Sequence, residues 1–121
     1  MALHNEIGKW GEKTASDYLV GSGYAIVDTN WRFRRSEIDI VAQTGNTIVF
    51  VEVKTRTGNR WRSPEESIDL RKRKLLFEAA DAFMQQYPDN YAARFDVITI
   101  EKLNNSIEIK HYCDALTPEL F

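Results

Sequence analysis

Two charges interrupt an apolar run in the middle of this sequence. The segment Thr47–Thr55 reads TIVFVEVKT, with Glu52 and Lys54 two residues apart. A run that is apolar on both faces is the pattern of a central strand covered on both sides. Residues two apart on a strand share a face. Glu52 and Lys54 therefore project together into buried surroundings, where charges without partners cost several kcal/mol. Just upstream, Glu37–Gln43 reads EIDIVAQ, and Gly45-Asn46 separates the two runs as a hairpin turn would.

With Gly45 and Asn46 as the central turn residues, Thr44 faces Thr47, Asp39 faces Glu52 and Glu37 faces Lys54. Side chains that face across such a ladder have Cβ atoms about 4.5–5.5 Å apart. Glu37 and Lys54 are then expected to form an ion pair. Asp39 and Glu52 carry like charges, which is unfavourable by itself. A divalent cation between them removes the conflict. Mg²⁺, or Mn²⁺ in its place, suits carboxylate oxygens at about 2.0–2.1 Å and keeps several waters. Such an ion polarises a phosphate and lowers the pKa of a bound water. Lys54 is placed to stabilise developing charge or to orient the attacking water. A one-residue slip in register would separate these groups. A plain buried salt bridge, Glu52–Lys54 or Asp39–Lys54, accounts for one carboxylate per lysine, not for three carboxylates converging on one lysine.

Other elements must position this pair. Residues from about Asn5 to Val20 read as a helix that Gly21 and Gly23 stop, with an apolar stripe of Ile7, Trp10, Thr14 and Tyr18. Tyr24 to Asp28 reads as a strand. Arg56 to Arg62 is a polar loop. Ser63-Pro64-Glu65-Glu66 is a helix start, with a cap residue, a first-turn proline and a glutamate three residues after the serine. That helix is expected to run to about Tyr87, with Ile68, Lys72, Leu76, Ala79 and Phe83 along one face, and Pro88 to Asn90 end it. Arg94 to Ile100 and Ser106 to Tyr112 read as strands. The order α-β-β-β-α-β-β predicts an α/β fold, a mixed sheet flanked by helices.

The 121 residues suit one domain spanning 1–121. No stretch approaches the ~20 apolar residues of a membrane span, and the N-terminus shows no apolar signal region. The single cysteine, Cys113, forms no intrachain disulfide and reads as an ordinary thiol. A cytoplasmic location is expected. His4 and His111 lie far apart without His/Cys ligand spacing, so zinc is not expected. The net charge is −2, but Arg32 to Lys74 holds eleven Lys/Arg against six Asp/Glu, leaving five against twelve elsewhere. A basic segment in an acidic frame makes a face that attracts phosphate.

Asp39 followed after twelve residues by Glu52-Val53-Lys54 resembles the PD-(D/E)xK signature of restriction-endonuclease-like nucleases, and the spacing is similar to that of archaeal Holliday junction resolvases. The longer pattern resembles the YraN-like bacterial family. It comprises Gly8-x-x-Gly11-Glu12, Gly23-Tyr24, Asn30-Trp31-Arg32, Glu37-Ile38-Asp39-Ile40-Val41, Phe50-Val51-Glu52-Val53-Lys54-Thr55-Arg56, Lys72 and Arg94-Phe95-Asp96-Val97. This ordered set covers most of the chain. The resemblance implies a restriction-endonuclease-like fold and an Mg²⁺ site. Ile38 stands where the signature carries a proline, a position that varies in the superfamily. The resemblance also implies a role for Glu12 as a metal ligand, direct or through water, because such enzymes carry a glutamate on the first helix. Glu12 lies in line with Gly8, Ala15 and Leu19 at helical spacing.

Arginines pair with phosphates and aromatics stack on unpaired bases. Both kinds of residue recur in Trp31-Arg32-Phe33-Arg34-Arg35 and in the segment from Thr55 to Arg62, which flank the site's strands. Arg32, Arg34, Arg35, Arg56, Arg60, Trp61 and Arg62 are the expected nucleic-acid contacts, against the plainer reading of core aromatics with solvated arginines. Lys72 is the odd residue on an apolar stripe, reaching the acidic cluster or a phosphate, or else lying along apolar surface. Asp96 is expected to pair with Arg94. Three functions follow: a metal-dependent nuclease acting on DNA, on branched or single-stranded repair and recombination intermediates; a non-catalytic nucleic-acid-binding module with a nuclease fold, serving a repair or recombination protein; and a structural accessory protein. A homodimer would supply two sites for cutting two strands.

Overall fold

The structure, a computed structural model, describes residues 2–57 and 70–116. Helix α1 spans Ala2–Gly21, followed by strands β1 (Ala25–Phe33), β2 (Ser36–Thr44) and β3 (Thr47–Thr57). Helix α2 covers Leu70–Met84, and strands β4 (Ala92–Lys102) and β5 (Ile107–Tyr112) complete the chain. The five strands form one sheet in the order β1-β2-β3-β4-β5. All neighbours are antiparallel except β3 and β4, which run parallel. A parallel pair needs a crossover, and α2 belongs to it. The result is the expected α/β, restriction-endonuclease-like architecture, a mixed sheet between two helices. No helix among the described residues is long and apolar enough to cross a membrane.

The two faces of the sheet carry separate cores. Against α2 pack Ile38, Val41, Ile48, Phe50, Phe95 and Val97, with Leu76, Ala79, Ala80 and Phe83 from the helix. Against α1 pack Ile40, Ala42, Val49, Val51, Ile98 and Ile100, with Ala15 and Leu19. Strand β3 feeds both, as its two-faced apolar run requires. The buried line of α1 is Gly11, Ala15 and Leu19. The stripe expected from sequence lies beside it: Trp10 and Tyr18 are half-buried, while Ile7 is exposed. Gly11 and Ala15 on that line are small, and at Gly11 α1 lies close to the sheet. A Cβ on Gly11 would collide with Thr55 Oγ1.

Strand β1 runs five residues further than its apolar pattern suggests, to Phe33. It also carries a bulge at Val27, where the register shifts between Ile26 and Asp28. The long strand is mostly exposed, so its hydrogen-bonded ladder to β2, not an alternating apolar face, defines it. Helix α2 stops at Met84, short of Tyr87. The expected cap at Ser63 and the stripe residue Ile68 lie outside the described residues.

Candidate functional site

The hairpin register read from the sequence holds from Thr44–Thr47 to Ile40–Val51, and there the ladder ends. Gly45 takes a positive φ of 58° at the first turn position, where glycine is favoured. Beyond Ile40, strand β2 breaks its alternation. Ile38 and Ile40 are two apart yet belong to opposite cores. On the partner strand, Asn30 stands opposite Asp39, between the pairs Thr29–Ile40 and Trp31–Ile38. Asn30 adopts φ 51°, a left-handed conformation that asparagine tolerates better than most residues. Both strands are therefore irregular at one level.

That irregularity sets the site. The Asp39 carboxylate turns into the gap between β2 and β3, and its Oδ2 accepts the Val53 N–H at 2.9 Å. Asp39 and Glu52 thus meet through side chains at the end of the ladder, not as a regular facing pair. Burial, then the Glu52 charge, push the Asp39 carboxyl up to about 8, with Glu12 adding in the same sense and the Val53 bond opposing. Glu52 is buried, and two ammonium groups converge on its Oε1: Lys72 at 3.0 Å and Lys54 at 3.8 Å. Burial lowers the pKa of the Lys54 ammonium, Lys72 adds to that, and Glu52 opposes it. Burial acts on Lys72 in the same way, but there the Glu52 charge and hydrogen bond prevail, and its pKa is raised.

The supporting residues are placed as follows. Glu37 does not pair with Lys54. It accepts a hydrogen bond from Arg32 Nε at 3.2 Å across the β1–β2 ladder, because the splayed hairpin removes the facing position that would have met Lys54. Arg32 is thereby engaged. Arg34 lies over the Phe33 ring, 5.0 Å from its centroid. Arg35 is exposed, and Arg56 half-buried. Arg60, Trp61 and Arg62 lie outside the described residues. Glu12 is close enough for its charge to act on Asp39, and its Oε1 accepts Asn30 Nδ2 at 2.9 Å. Asn30 is a residue whose part the sequence reading missed; its signal was an asparagine inside a strand. Thr99 and Glu101 were missed too. Both are buried on β4, in register with Lys54 and Arg56 and so on their face. Thr99 Oγ1 and Glu101 Oε2 have no hydrogen-bond partner among the described residues.

The donors facing the gap are carboxylate oxygens, the set that suits Mg²⁺ or Mn²⁺. Asp39 Oδ2 is engaged by Val53 and Glu52 Oε1 by the lysines, and the two carboxyls also hydrogen-bond to each other. Glu12 does not close with them into a trio of atoms within 4.8 Å; among the described residues only Asp96, His111 and Cys113 do so. The Arg94 guanidinium already serves that second group, donating to both Asp96 oxygens, at 2.9 and 2.7 Å. His111 Nε2 lies 2.6 Å from Asp96 Oδ2 and the Asp114 N–H donates to Oδ1 at 2.9 Å. The carboxylate is saturated, and burial, which would raise its pKa, is overcome by the His111 and Arg94 bonds that lower it. His111-x-Cys113 was the spacing that could have announced this convergence.

Comparison with known proteins agrees with the motifs. The pattern of the uncharacterised protein family UPF0102 matches residues 11–100. A UPF0102 protein of Bacteroides thetaiotaomicron is 46% identical over 121 residues, covering all of both chains. One from Flavobacterium psychrophilum is 39% identical over 115 residues, 95% of this chain and 97% of the relative. One from Phocaeicola vulgatus is 36% identical over 121 residues, again covering both chains in full. With its matching motifs, its restriction-endonuclease-like sheet and these full-length relatives, the chain belongs to UPF0102, the YraN-like family.

Proposed function

We propose that this protein is a divalent-metal-dependent phosphodiesterase acting on DNA. The observation that carries the reading is the pairing of half-buried Asp39 with buried Glu52 at the broken end of the hairpin. Two like charges are brought together there by backbone geometry, and a proton or a cation relieves their repulsion. Asp39 and Glu52 would hold Mg²⁺ or Mn²⁺, with Glu12, steadied by Asn30, acting through a water. The metal would supply Lewis-acid polarisation of the phosphate and a more acidic bound water. Lys54, whose ammonium gives up its proton more readily than usual, sits beside the pair to relay a proton or to offset charge on the phosphate. Lys72 fixes the Glu52 carboxylate from α2. The arginines of the β1–β2 turn supply phosphate contacts.

The Lys72–Glu52 pair at 3.0 Å favours a second reading. In it the lysine stands in for the cation, and the fold binds DNA for a repair or recombination partner without cutting. A cleavage screen over duplex, single-stranded, flap and four-way-junction DNA with Mg²⁺ and Mn²⁺ separates the two. Cleavage lost in both Asp39→Ala and Glu52→Ala is the expected result. Cleavage that survives in those variants, or DNA binding without turnover on every substrate, overturns the nuclease reading.

A further inference from the structure

Two hollows open side by side on the α2 face. One, of about 250 Å³, holds Asp39, Glu52 and Lys72 and is bounded by Arg35, Ser36 and Leu75. The other, of about 210 Å³, shares Arg35, Ser36 and Leu75 and adds Phe33, Arg34 and Glu78. Along this path the chemistry changes from carboxylates and a lysine, through a shared arginine, hydroxyl and leucine, to a phenyl ring. The order matches a nucleotide strand: phosphate, phosphate, base.

The apolar hollow is built by the two-residue turn between β1 and β2. Phe33 pairs with Ser36, and Arg34 takes φ 57° between them. A non-glycine residue held at positive φ is uncommon and needs support from its surroundings. Here the guanidinium lies over Phe33, whose ring stacks on Trp31 with an 8° interplanar angle. Phe33 is thus held in place by both neighbours, and it lines the hollow together with Leu75. Arg35 stands at the junction of the hollows, exposed and without an ion-pair partner among the described residues.

We infer that the second hollow is a subsite for one unpaired nucleobase next to the cleaved phosphate, lodged against Phe33 and Leu75 with its own phosphate on Arg35 and Ser36. This rests on the phosphodiesterase reading and names its substrate class: DNA with an unstacked nucleotide at the cut, as in a single strand, a flap or a branch point. A base paired and stacked within a duplex is not available to enter. Apolar contact with Phe33 and Leu75 is open to the ring of any base, so the fit tolerates sequence. Glu78 adds a carboxylate to the lining. Carboxylates accept hydrogen bonds from exocyclic amino groups, which cytosine carries and thymine lacks. Cytosine is therefore favoured over thymine in the subsite.

The test uses the full chain and oligonucleotides, single-stranded and flapped, in which one abasic residue is walked through the binding region. Affinity is read by anisotropy in Ca²⁺. One position should stand out, where loss of the base weakens binding about 5- to 150-fold. Leu75→Trp, which fills the hollow, should weaken binding of the intact strand, and in that variant the abasic penalty should disappear. A variant that merely folded badly would keep the penalty. Cytosine should bind several-fold more tightly than thymine at that position, and Glu78→Gln should narrow the difference. Equal affinity at every abasic position, or tighter binding of fully paired duplex, overturns the subsite while metal-dependent cleavage leaves the phosphodiesterase reading standing. No DNA binding under any condition overturns both.

Discussion

Asp39 and Asp96 are aspartates on interior strands of the same sheet, and their surroundings drive them in opposite directions. Asp96 receives Arg94 on both oxygens, His111 on one and the Asp114 N–H on the other, and its pKa is lowered. Being ionised it only accepts, so His111 Nε2 donates to it, and the ring's Nδ1 lies 3.1 Å from the Tyr18 hydroxyl. Arg94 also donates to the Tyr24 hydroxyl at 2.6 Å. The network ties β4 to β5, to the segment after β5 and to the α1 side. Asp39 receives one backbone donor, faces a second carboxylate and has its pKa raised to about 8. A satisfied buried charge holds a fold together, whereas an unsatisfied one is available for chemistry.

The contrast can be broken most severely at its chemical end. Asp39→Ala and Glu52→Ala should each reduce metal-dependent cleavage by at least about 100-fold while the protein still unfolds cooperatively. Loss of cleavage accompanied by loss of the folded state would erase the distinction between the two aspartates.

Next in size is the structural end. Asp96→Asn leaves the Arg94 guanidinium facing a neutral amide and should cost about 3–5 kcal/mol in urea unfolding at pH 7. A cost under about 1 kcal/mol would mean that the network is ornamental. Its pH signature follows from the lowered pKa. The stabilisation is present above the unfolded aspartate value near 3.9 and fades as the pH falls through the native one.

A smaller effect is expected at Gly11, whose closeness to Thr55 brings α1, and with it Glu12, onto the site. Gly11→Ala should cost about 1–3 kcal/mol through overpacking, and Thr55→Ala should recover most of that in the double variant. Additive losses would show that the contact at Thr55 Oγ1 is not the cause.

The smallest effect has the opposite sign. In metal-free protein Asp39→Asn should stabilise by about 0.5–2 kcal/mol. The raised pKa makes the native state bind a proton that the unfolded chain has released, so wild-type stability falls as pH rises from about 4 to 8. The gain from asparagine should therefore be larger at pH 8 than at pH 5. In Mg²⁺ the order should reverse, because only wild type gains from binding the ion. A gain that is flat with pH would place the Asp39 pKa near its ordinary value.

Much of this was legible in the chain because it is local or periodic. TIVFVEVKT announces a strand buried on both faces, and its two charges announce that something must meet them. Gly45-Asn46 fixes the register as far as Ile40–Val51. The regular ladder beyond that point was an extrapolation. It fails at the level where Asn30 on the neighbouring strand turns left-handed opposite Asp39 and where Ile38 and Ile40 fall into opposite cores, an irregularity that no turn or apolar period announces. The Glu37–Lys54 pair failed for the same reason. Arg94 and Asp96, two apart on a strand, could be paired from sequence, whereas His111 arrives from an edge strand fifteen residues later, and no local pattern links them.

The sequence by itself determined the elements, their order, the hairpin register, the family and the identity of the central charged residues, since turn chemistry, apolar period and motif spacing are written in neighbouring positions. Only the tertiary structure decided how those charges are poised. The break in the sheet at Asp39, the arrival of Lys72 on Glu52, the Glu12–Asn30 contact and the hollow beside the turn depend on distances between distant segments. Burial and charge at those distances, not residue type, lower the pKa of one aspartate and raise that of the other.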